Sequence, residues 1–165
     1  MKKRKFIPYR RKTEGRTNYK KRLILLKSGK LRLVVRKSLR GVIAQLIEYK
    51  VNGDVTKVTV TSKQLKTYGW KGYGRNTPAA YLVGLLLGKK AQEKQIKEAV
   101  LDLGLYQSRQ GTILFAVLKG AVDSGLNISH NSKIFPSDER IAGKHISEDV
   151  AKNFEETKNN IAKVK

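Results

Sequence analysis

Three glycines and three aromatic rings interleave in the stretch YGWKGYGRNTP, residues 68–78. Glycine-rich loops can hold nucleotide phosphates through their backbone N–H groups. The dinucleotide-binding pattern G-x-G-x-x-G is not met, because Gly69, Gly72 and Gly74 give G-x-x-G-x-G. GWKG does satisfy the G-x-x-G that clamps nucleotides in KH domains, but a KH loop joins two helices, whereas this one follows a predicted strand and a short connector. The loop therefore carries no recognisable cofactor fingerprint.

Other candidate catalytic spacings are also incomplete. GLLLGKK, residues 84–90, has three residues rather than four between its glycines, and Lys90 stands where a P-loop needs Ser or Thr. The stretch lies inside a predicted helix, so close helix packing explains its glycines better. The first predicted strand has no carboxylate to bind Mg²⁺ as in a nuclease, and His130 has no neighbouring acid for a catalytic triad. We expect no enzymatic activity and no cofactor.

Charge is the strongest signal in the composition. The 165 residues carry 36 Lys and Arg against 13 Asp and Glu, a formal net charge of +23. Residues 1–40 hold 17 basic side chains and one acid, Glu14, and so supply +16 of that total. A domain of this charge seeks a polyanion, and nucleic acid is the obvious class.

The candidate nucleic-acid contacts combine two kinds of side chain. Basic side chains can neutralise phosphates, while aromatic rings can stack on bases or sugars. The basic candidates are Arg10, Arg11, Lys12, Arg16, Lys20, Lys21 and Arg22, and the aromatic candidates are Tyr9, Tyr19, Trp70 and Tyr73. A run of charge is usually just a solvated face, but a segment this basic favours a polymeric partner. For each aromatic residue of the loop, packing against the core remains an equal alternative.

Neither secretion nor membrane insertion is indicated. The basic N-terminus is not followed by the apolar stretch of a signal peptide. The longest apolar run, residues 79–88, is half of the roughly 20 residues that a membrane span needs. The chain has no cysteine and two histidines, which excludes thiolate metal sites and disfavours a histidine site. We expect a cytoplasmic protein with no metal and no membrane partner.

The first 62 residues are predicted to form an N-terminal arm and three strands, which position most of the candidate nucleic-acid contacts. Residues 1–22 lack sustained periodicity and repel one another, so alone they should be disordered. Residues 31–38 alternate as a half-buried strand with an arginine face, and residues 42–50 and 55–62 are two further strands. Asn-Gly in the sequence V-N-G-D favours a tight turn between the second and third strands. These three strands predict an antiparallel meander.

The second half of the chain predicts helices around a fourth strand. Pro78 opens a helix to about residue 95, capped by Asn76 or Thr77. Residues 99–104 form a strand that the crossover places parallel to the first, a second helix covers 112–125, and a third begins after Ser147. The predicted fold class is therefore α/β, a mixed sheet with an extended basic N-terminal arm. We divide it into an arm (1–22), an α/β body (23–146) and a helical tail (147–165).

Five blocks of the sequence, taken together and in order, carry a family resemblance. They are GRTNYKKRLILLKSGKLRLVVRKS (15–38), NTPAAYLVGLL (76–86), VLDLGL (100–105), ILFAVLKGAVDSGLNISH (113–130) and FPSDERIAGKHI (135–146). The chain resembles the family of the universal large-subunit ribosomal protein eighteen in its archaeal form, close to a longer eukaryotic relative. The resemblance covers about residues 3–150.

The resemblance implies a structural constituent of the large ribosomal subunit. Its partners would be 5S rRNA, the large rRNA of the central protuberance and the neighbouring 5S-binding ribosomal protein. The implied fold is a mixed sheet of ribonuclease-H-like topology without the catalytic acids. RNA contacts carried over from the family fall on Tyr9, Arg10, Arg11, Arg16, Tyr19, Lys20, Lys21 and Arg22 of the arm, and on Arg36, Lys37 and Gln45 of the sheet face.

On this interpretation the loop at 68–78 is flexible and meets rRNA. The side chains concerned are Trp70, Lys71, Tyr73 and Arg75. An alternative function is a basic, non-ribosomal nucleic-acid-binding protein of the architectural kind, or a membrane-surface protein driven by the same arm.

Overall fold

The computed structural model describes residues 7–163, which form a sheet of five strands with six α-helices. The strands are β1 Leu31–Lys37, β2 Val42–Glu48, β3 Val55–Thr61, β4 Glu98–Asp102 and β5 Asn127–Ile128. The helices are α1 Arg10–Thr13, α2 Tyr19–Leu26, α3 Thr77–Glu93, α4 Ile113–Asp123, α5 Asp138–Ala142 and α6 Glu148–Ala162. Short 3₁₀ helices cover Ser62–Tyr68 and Ser132–Ile134.

The sheet has the strand order β3-β2-β1-β4-β5. β1 pairs antiparallel with β2, and β2 pairs antiparallel with β3. The turn between β2 and β3 has Gly53 at φ 135°, a value that favours glycine. β4 lies parallel to β1, with Leu31 opposite Ala99. The predicted mixed α/β fold, its meander and its parallel crossover are therefore confirmed. β5 adds a two-residue strand parallel to β4 that the sequence did not predict.

The main helices start and end where local chemistry dictates. The Asn76 side chain accepts a hydrogen bond from the Ala79 amide at 2.9 Å, with Pro78 in the first turn of α3. The Ser147 hydroxyl accepts one from the Val150 amide at 3.2 Å at the start of α6. After α4 the chain turns at Gly125 with φ 97°. These caps agree with the predicted helix boundaries to within about two residues.

One face of the sheet is covered by helices. α3 and α4 pack on the side that carries Leu33, Val35, Ala44 and Leu46, all of them buried. α6 joins the same core through Phe154 and Ile161, although we had assigned it to a separate tail. Between residues 7 and 163 no pair of long helices covers the opposite face, where Arg36 is exposed whereas Arg32, Val34 and Ile47 are buried.

The N-terminal arm differs from its predicted disordered state. Residues 7–26 include α1 and α2, in which no residue is buried, and the α2 start is capped by Asn18, whose side chain accepts from the Lys21 amide at 3.0 Å. α2 also runs across the boundary we placed after residue 22. Contacts from distant parts of the chain, described below, hold this helix in place. Residues 1–6 of the predicted arm lie outside the described residues.

Candidate nucleic-acid interface

The arm and the open face of the sheet enclose a cleft of about 970 Å³. Seven basic side chains line it, against two carboxylates. The basic residues are Arg11, Arg16, Lys21, Arg22, Arg32, Arg36 and Lys50, and the acids are Asp54 and Asp102. Tyr19, Tyr49 and Tyr106 also line this cleft, so cations and aromatic rings alternate around one concavity. This combination suits the phosphates and bases of nucleic acid.

Two contacts fix α2 against the body of the protein. Arg22 donates from Nη2 to both carboxylate oxygens of Asp54, at 2.8 and 2.9 Å. Lys21 donates from Nζ to the backbone carbonyl of Gly104 at 3.3 Å. The first contact reaches the β2–β3 turn and the second reaches the end of β4. The arm is therefore held at both rims of the cleft.

Arg32 extends this polar network into the sheet. Its side chain is 4% exposed, and it donates to Asp54 at 2.6 Å and to Asp102 at 2.8 Å. Asp102 in turn accepts from the Gly104 amide at 2.9 Å. Partial burial by itself acts to raise the pKa of Asp54, but the hydrogen bond from Arg22 and the charge of Arg32 outweigh it and lower that pKa.

The sequence did not reveal this network. β1 was predicted to expose an arginine face, whereas Arg32 is buried and bound to carboxylates. Asp54 was interpreted only as part of a turn, and Asp102 only as part of a strand. The one available signal was the combination of an arginine in a strand with acids at the ends of two other strands, and it depends on knowing the strand order.

The predicted contacts of the arm and the sheet face fall into two groups. Those that line the cleft are Arg11, Arg16, Tyr19, Lys21, Arg22, Arg36 and Gln45. Those that do not line it are Tyr9, Arg10, Lys12, Lys20 and Lys37. Tyr9 packs its ring 5.0 Å from that of Tyr19, and Arg10 pairs with Glu14 at 2.7 Å. Lys37 lies just beyond the cleft, with its ammonium 5.3 Å from the Tyr106 ring.

The loop at residues 68–78 is attached to the body. Asn153 of α6 accepts from the Lys71 amide at 2.9 Å and donates to the Gly69 carbonyl at 2.9 Å. Asn160 donates to the Tyr68 carbonyl at 3.1 Å. Because these hydrogen bonds hold the loop against α6, they do not support the prediction that the loop is flexible.

Trp70 does not occupy the predicted position at an RNA surface. It is 3% exposed, belongs to the core, and donates from its indole N–H to the Tyr73 carbonyl at 3.4 Å. Packing against the core, the alternative that the sequence left open for this ring, is therefore what the structure shows, and an RNA contact by Trp70 stays a prediction. Tyr73 is 58% exposed and Lys71 is exposed, whereas Arg75 is half-buried.

The acidic side chains of the cleft are already paired. Within residues 7–163, no cluster of three His, Asp or Glu side chains could hold a metal ion. The two carboxylates of the cleft are engaged by arginines. None of the helices between residues 7 and 163 is long and apolar enough to cross a bilayer.

Comparison with known proteins gives the family. A family model described as ribosomal large subunit proteins 60S L5 and 50S L18 matches residues 3–97 and 90–131. The chain belongs to this family. This chain is 51% identical over 151 residues to the large ribosomal subunit protein uL18 of Methanococcus maripaludis. The aligned part is 92% of this chain and 76% of that relative.

Family membership tests two of the predictions made from the sequence. The family consists of proteins of the large ribosomal subunit. The prediction that this chain is a ribosomal protein of that subunit is therefore confirmed. The similarity to the archaeal relative also agrees with the archaeal form that we expected.

Proposed function

We propose that this protein binds 5S rRNA and helps to attach it to the large rRNA in the central protuberance, beside the other 5S-binding ribosomal protein. The observation that carries the proposal is the cleft between the arm and the open sheet face. Arg11, Lys21 and Arg36 line it without a carboxylate within ion-pairing distance among the described residues. Their charge is therefore free to neutralise phosphates.

The proposed contacts are those predicted residues that the structure leaves accessible. They comprise Arg11, Arg16, Tyr19, Lys21, Arg22, Arg36 and Gln45 in the cleft, Tyr9, Arg10, Lys12, Lys20 and Lys37 around it, and Lys71, Tyr73 and Arg75 in the loop at 68–78. The Gln45 amide already donates to the Thr59 hydroxyl at 3.2 Å, and its carbonyl oxygen remains a possible acceptor. The proposed role is structural and includes no catalytic step.

Competition binding tests the choice of RNA. Labelled 5S rRNA is titrated with the purified protein, and unlabelled 5S rRNA, an unrelated RNA of equal length and duplex DNA of equal charge are added as competitors. We expect 5S rRNA to compete clearly best. Equal competition by all three would indicate a charge-driven architectural binder and would overturn the proposal. Incubation of the complex with Mg²⁺ should leave the RNA uncut.

Deleting residues 1–22 tests the arm. The deletion removes Arg11, Arg16, Lys21 and Arg22 from the cleft. Each phosphate contact contributes roughly −0.7 to −0.9 to the log–log dependence of affinity on salt. We expect weaker binding and a flatter salt dependence for the shortened chain. An unchanged slope would remove the arm from the interface.

A further inference from the structure

A second basic pocket of about 640 Å³ lies next to the cleft. Leu105 and Tyr106 line both concavities and so form the wall between them. The second pocket is also lined by Lys37, Arg109, Arg140 and His145. These four come from the end of β1, the loop after β4, α5 and the segment before α6. The fold thus brings together four basic groups that are far apart in the sequence.

The charge of this pocket is not compensated locally. No acidic side chain is found among the described residues that line it. Across residues 7–163, Lys37, Arg109, Arg140 and His145 take part in none of the ion pairs. The cleft is different, because carboxylates there neutralise two of its arginines. An anion entering the second pocket would therefore displace no carboxylate. Arg109 does donate from Nε to the side-chain oxygen of Gln107, which also lines the pocket, at 3.1 Å.

Two helix N-termini open on the same pocket. Asn76 and Thr77 line it at the start of α3, and Thr112 and Ile113 line it at the start of α4. A helix start carries a partial positive charge and backbone N–H groups without intrahelical partners. Asn76 caps α3 through its side chain, whereas Thr112 makes no side-chain cap at α4. The Phe115 amide donates to the Thr112 carbonyl at 3.0 Å, so the amides open to an outside acceptor are those of Ile113 and Leu114, both of which line the pocket.

Thr112 adds an independent indication of a ligand. Its hydroxyl oxygen is shielded from solvent and has no hydrogen-bond partner among residues 7–163. A buried polar group of this kind is normally satisfied, so its lack of a partner calls for an explanation. Because Thr112 lines the pocket, a ligand bound there would lie next to this unpaired hydroxyl.

We propose that this pocket binds a backbone phosphate of RNA, as a second contact site across the Leu105–Tyr106 wall from the cleft. The chemistry is that of a phosphate oxyanion, for which arginine side chains and helix N-termini are suitable partners. The proposal rests on the proposed function, since it takes the RNA bound in the cleft to extend over Tyr106. Of the residues that carry it, only Lys37 had been predicted as an RNA contact.

The test compares two double variants of equal charge. Arg109→Gln/Arg140→Gln removes two cations from the pocket, and Lys152→Gln/Lys163→Gln removes two exposed cations from α6 and its end. Affinity for 5S rRNA, and for a large-subunit rRNA fragment, is measured over a series of salt concentrations. For the pocket variant we expect at least fivefold weaker binding at 0.15 M salt and a slope lower by about 0.7–0.9. The α6 variant should behave as the wild type.

The outcomes separate the two proposals. If the wild type prefers 5S rRNA and the pocket variant matches the α6 variant in affinity and slope, the second site is wrong while the proposed function stands. If the wild type shows no preference for 5S rRNA, the proposed function fails, and the slope on any RNA that it binds still tests the pocket. Inorganic phosphate provides the last comparison. Stabilisation by phosphate that is lost in the pocket variant, with an unchanged RNA slope, would mean a free-phosphate site and overturn the RNA assignment.

Discussion

The guanidinium of Arg32 is held between the carboxylates of Asp54 and Asp102, and Asp54 also holds Arg22 of the arm. A buried charge is tolerated only when partners compensate the loss of water around it. One aspartate therefore has two functions: it neutralises a strand arginine, and it fixes the helix that forms one wall of the cleft. The proposed RNA-binding surface and the stability of the fold are therefore coupled at this residue.

Replacing Asp54 by Asn should destabilise the protein and loosen α2. The change removes the charge that faces Arg22 and Arg32, while Arg32 keeps Asp102. Hydrogen bonds to charged groups contribute about 1.5–3 kcal/mol, so we expect a loss of about 1–3 kcal/mol in the free energy of unfolding. Urea denaturation measures that loss, and hydrogen exchange of the α2 amides measures the loosening.

Glu98→Gln is the matched control for that substitution. Glu98 pairs with Lys30 at 2.6 Å, but both side chains are about half exposed. Exposed pairs contribute about 0–1 kcal/mol, so this variant should unfold nearly as the wild type does. Equal destabilisation by the two variants would contradict a special role for Asp54.

The Asp54 effect should depend on pH. The folded pKa of Asp54 is lowered, so its charge stabilises the fold above the unfolded pKa of about 3.9. That contribution is lost as the pH falls through the lower, folded pKa. We expect the difference in unfolding free energy between wild type and Asp54→Asn to be complete at neutral pH and to shrink below about pH 4. A difference that stays constant down to pH 3 would argue against the ion pairs.

Trp70 provides a spectroscopic test of the loop. It is the only tryptophan in the chain and is 3% exposed. We expect acrylamide to quench its emission several-fold less in the native protein than in urea, and RNA to change the emission little. In a Trp70→Phe/Tyr73→Trp variant the new indole replaces a ring that is 58% exposed, so it should be quenched strongly. If the loop meets RNA, that second emission responds to RNA; no response would return the loop to a packing role.

At the scale of elements, α3 and α4 approach each other through glycines. A Cβ on Gly84 would lie 2.0 Å from the Val117 carbonyl oxygen, and one on Gly120 would lie 2.1 Å from that of Tyr81. The partner atoms are backbone, so they cannot turn away. The stretch GLLLGKK is therefore a helix-packing surface, as its position inside a helix had predicted.

Gly84→Ala should destabilise the protein although alanine is the better helix former. Overpacking typically costs about 1–3 kcal/mol, which exceeds the propensity gain of about 1 kcal/mol. Thermal unfolding followed by circular dichroism measures the change. Glu156→Ala on the exposed side of α6 serves as a helix control and should be nearly neutral. A Gly84→Ala variant as stable as the wild type would contradict the close approach of the two helices.

The elements that sequence reasoning located are those with local signals. β1 to β3 show alternation and a turn dipeptide, and α3 and α6 show helix caps, so local sequence signals were enough to predict them. The helix α2 was missed because its anchors, Asp54 and Gly104, lie 32 and 83 residues from the arginine and lysine that they bind. β5 has two residues and no periodicity at all.

At the scale of the whole molecule, helices cover one face of the sheet and leave the other to the basic arm. Composition alone predicted a polyanionic partner, and membership of a ribosomal protein family agrees with that prediction. The sequence could not show which basic side chains form ion pairs with carboxylates, because the fold decides which charges come together. Arg32 is paired and buried, while Arg11 and Arg36 in the cleft form no ion pair with any described residue. The same reason explains why the second pocket was not predicted.

The most direct test of whether the cleft binds RNA is the dependence of 5S rRNA affinity on salt concentration. Arg11→Gln/Arg36→Gln removes two free cations from the cleft, and Lys152→Gln/Lys163→Gln removes the same charge from α6 and its end. Each phosphate contact contributes about 0.7–0.9 to the slope, so the cleft variant should have a log–log slope lower by roughly 1.4–1.8 and bind more weakly. The α6 variant should keep the wild-type slope. Equal slopes for the two variants would contradict the cleft as the RNA-binding surface.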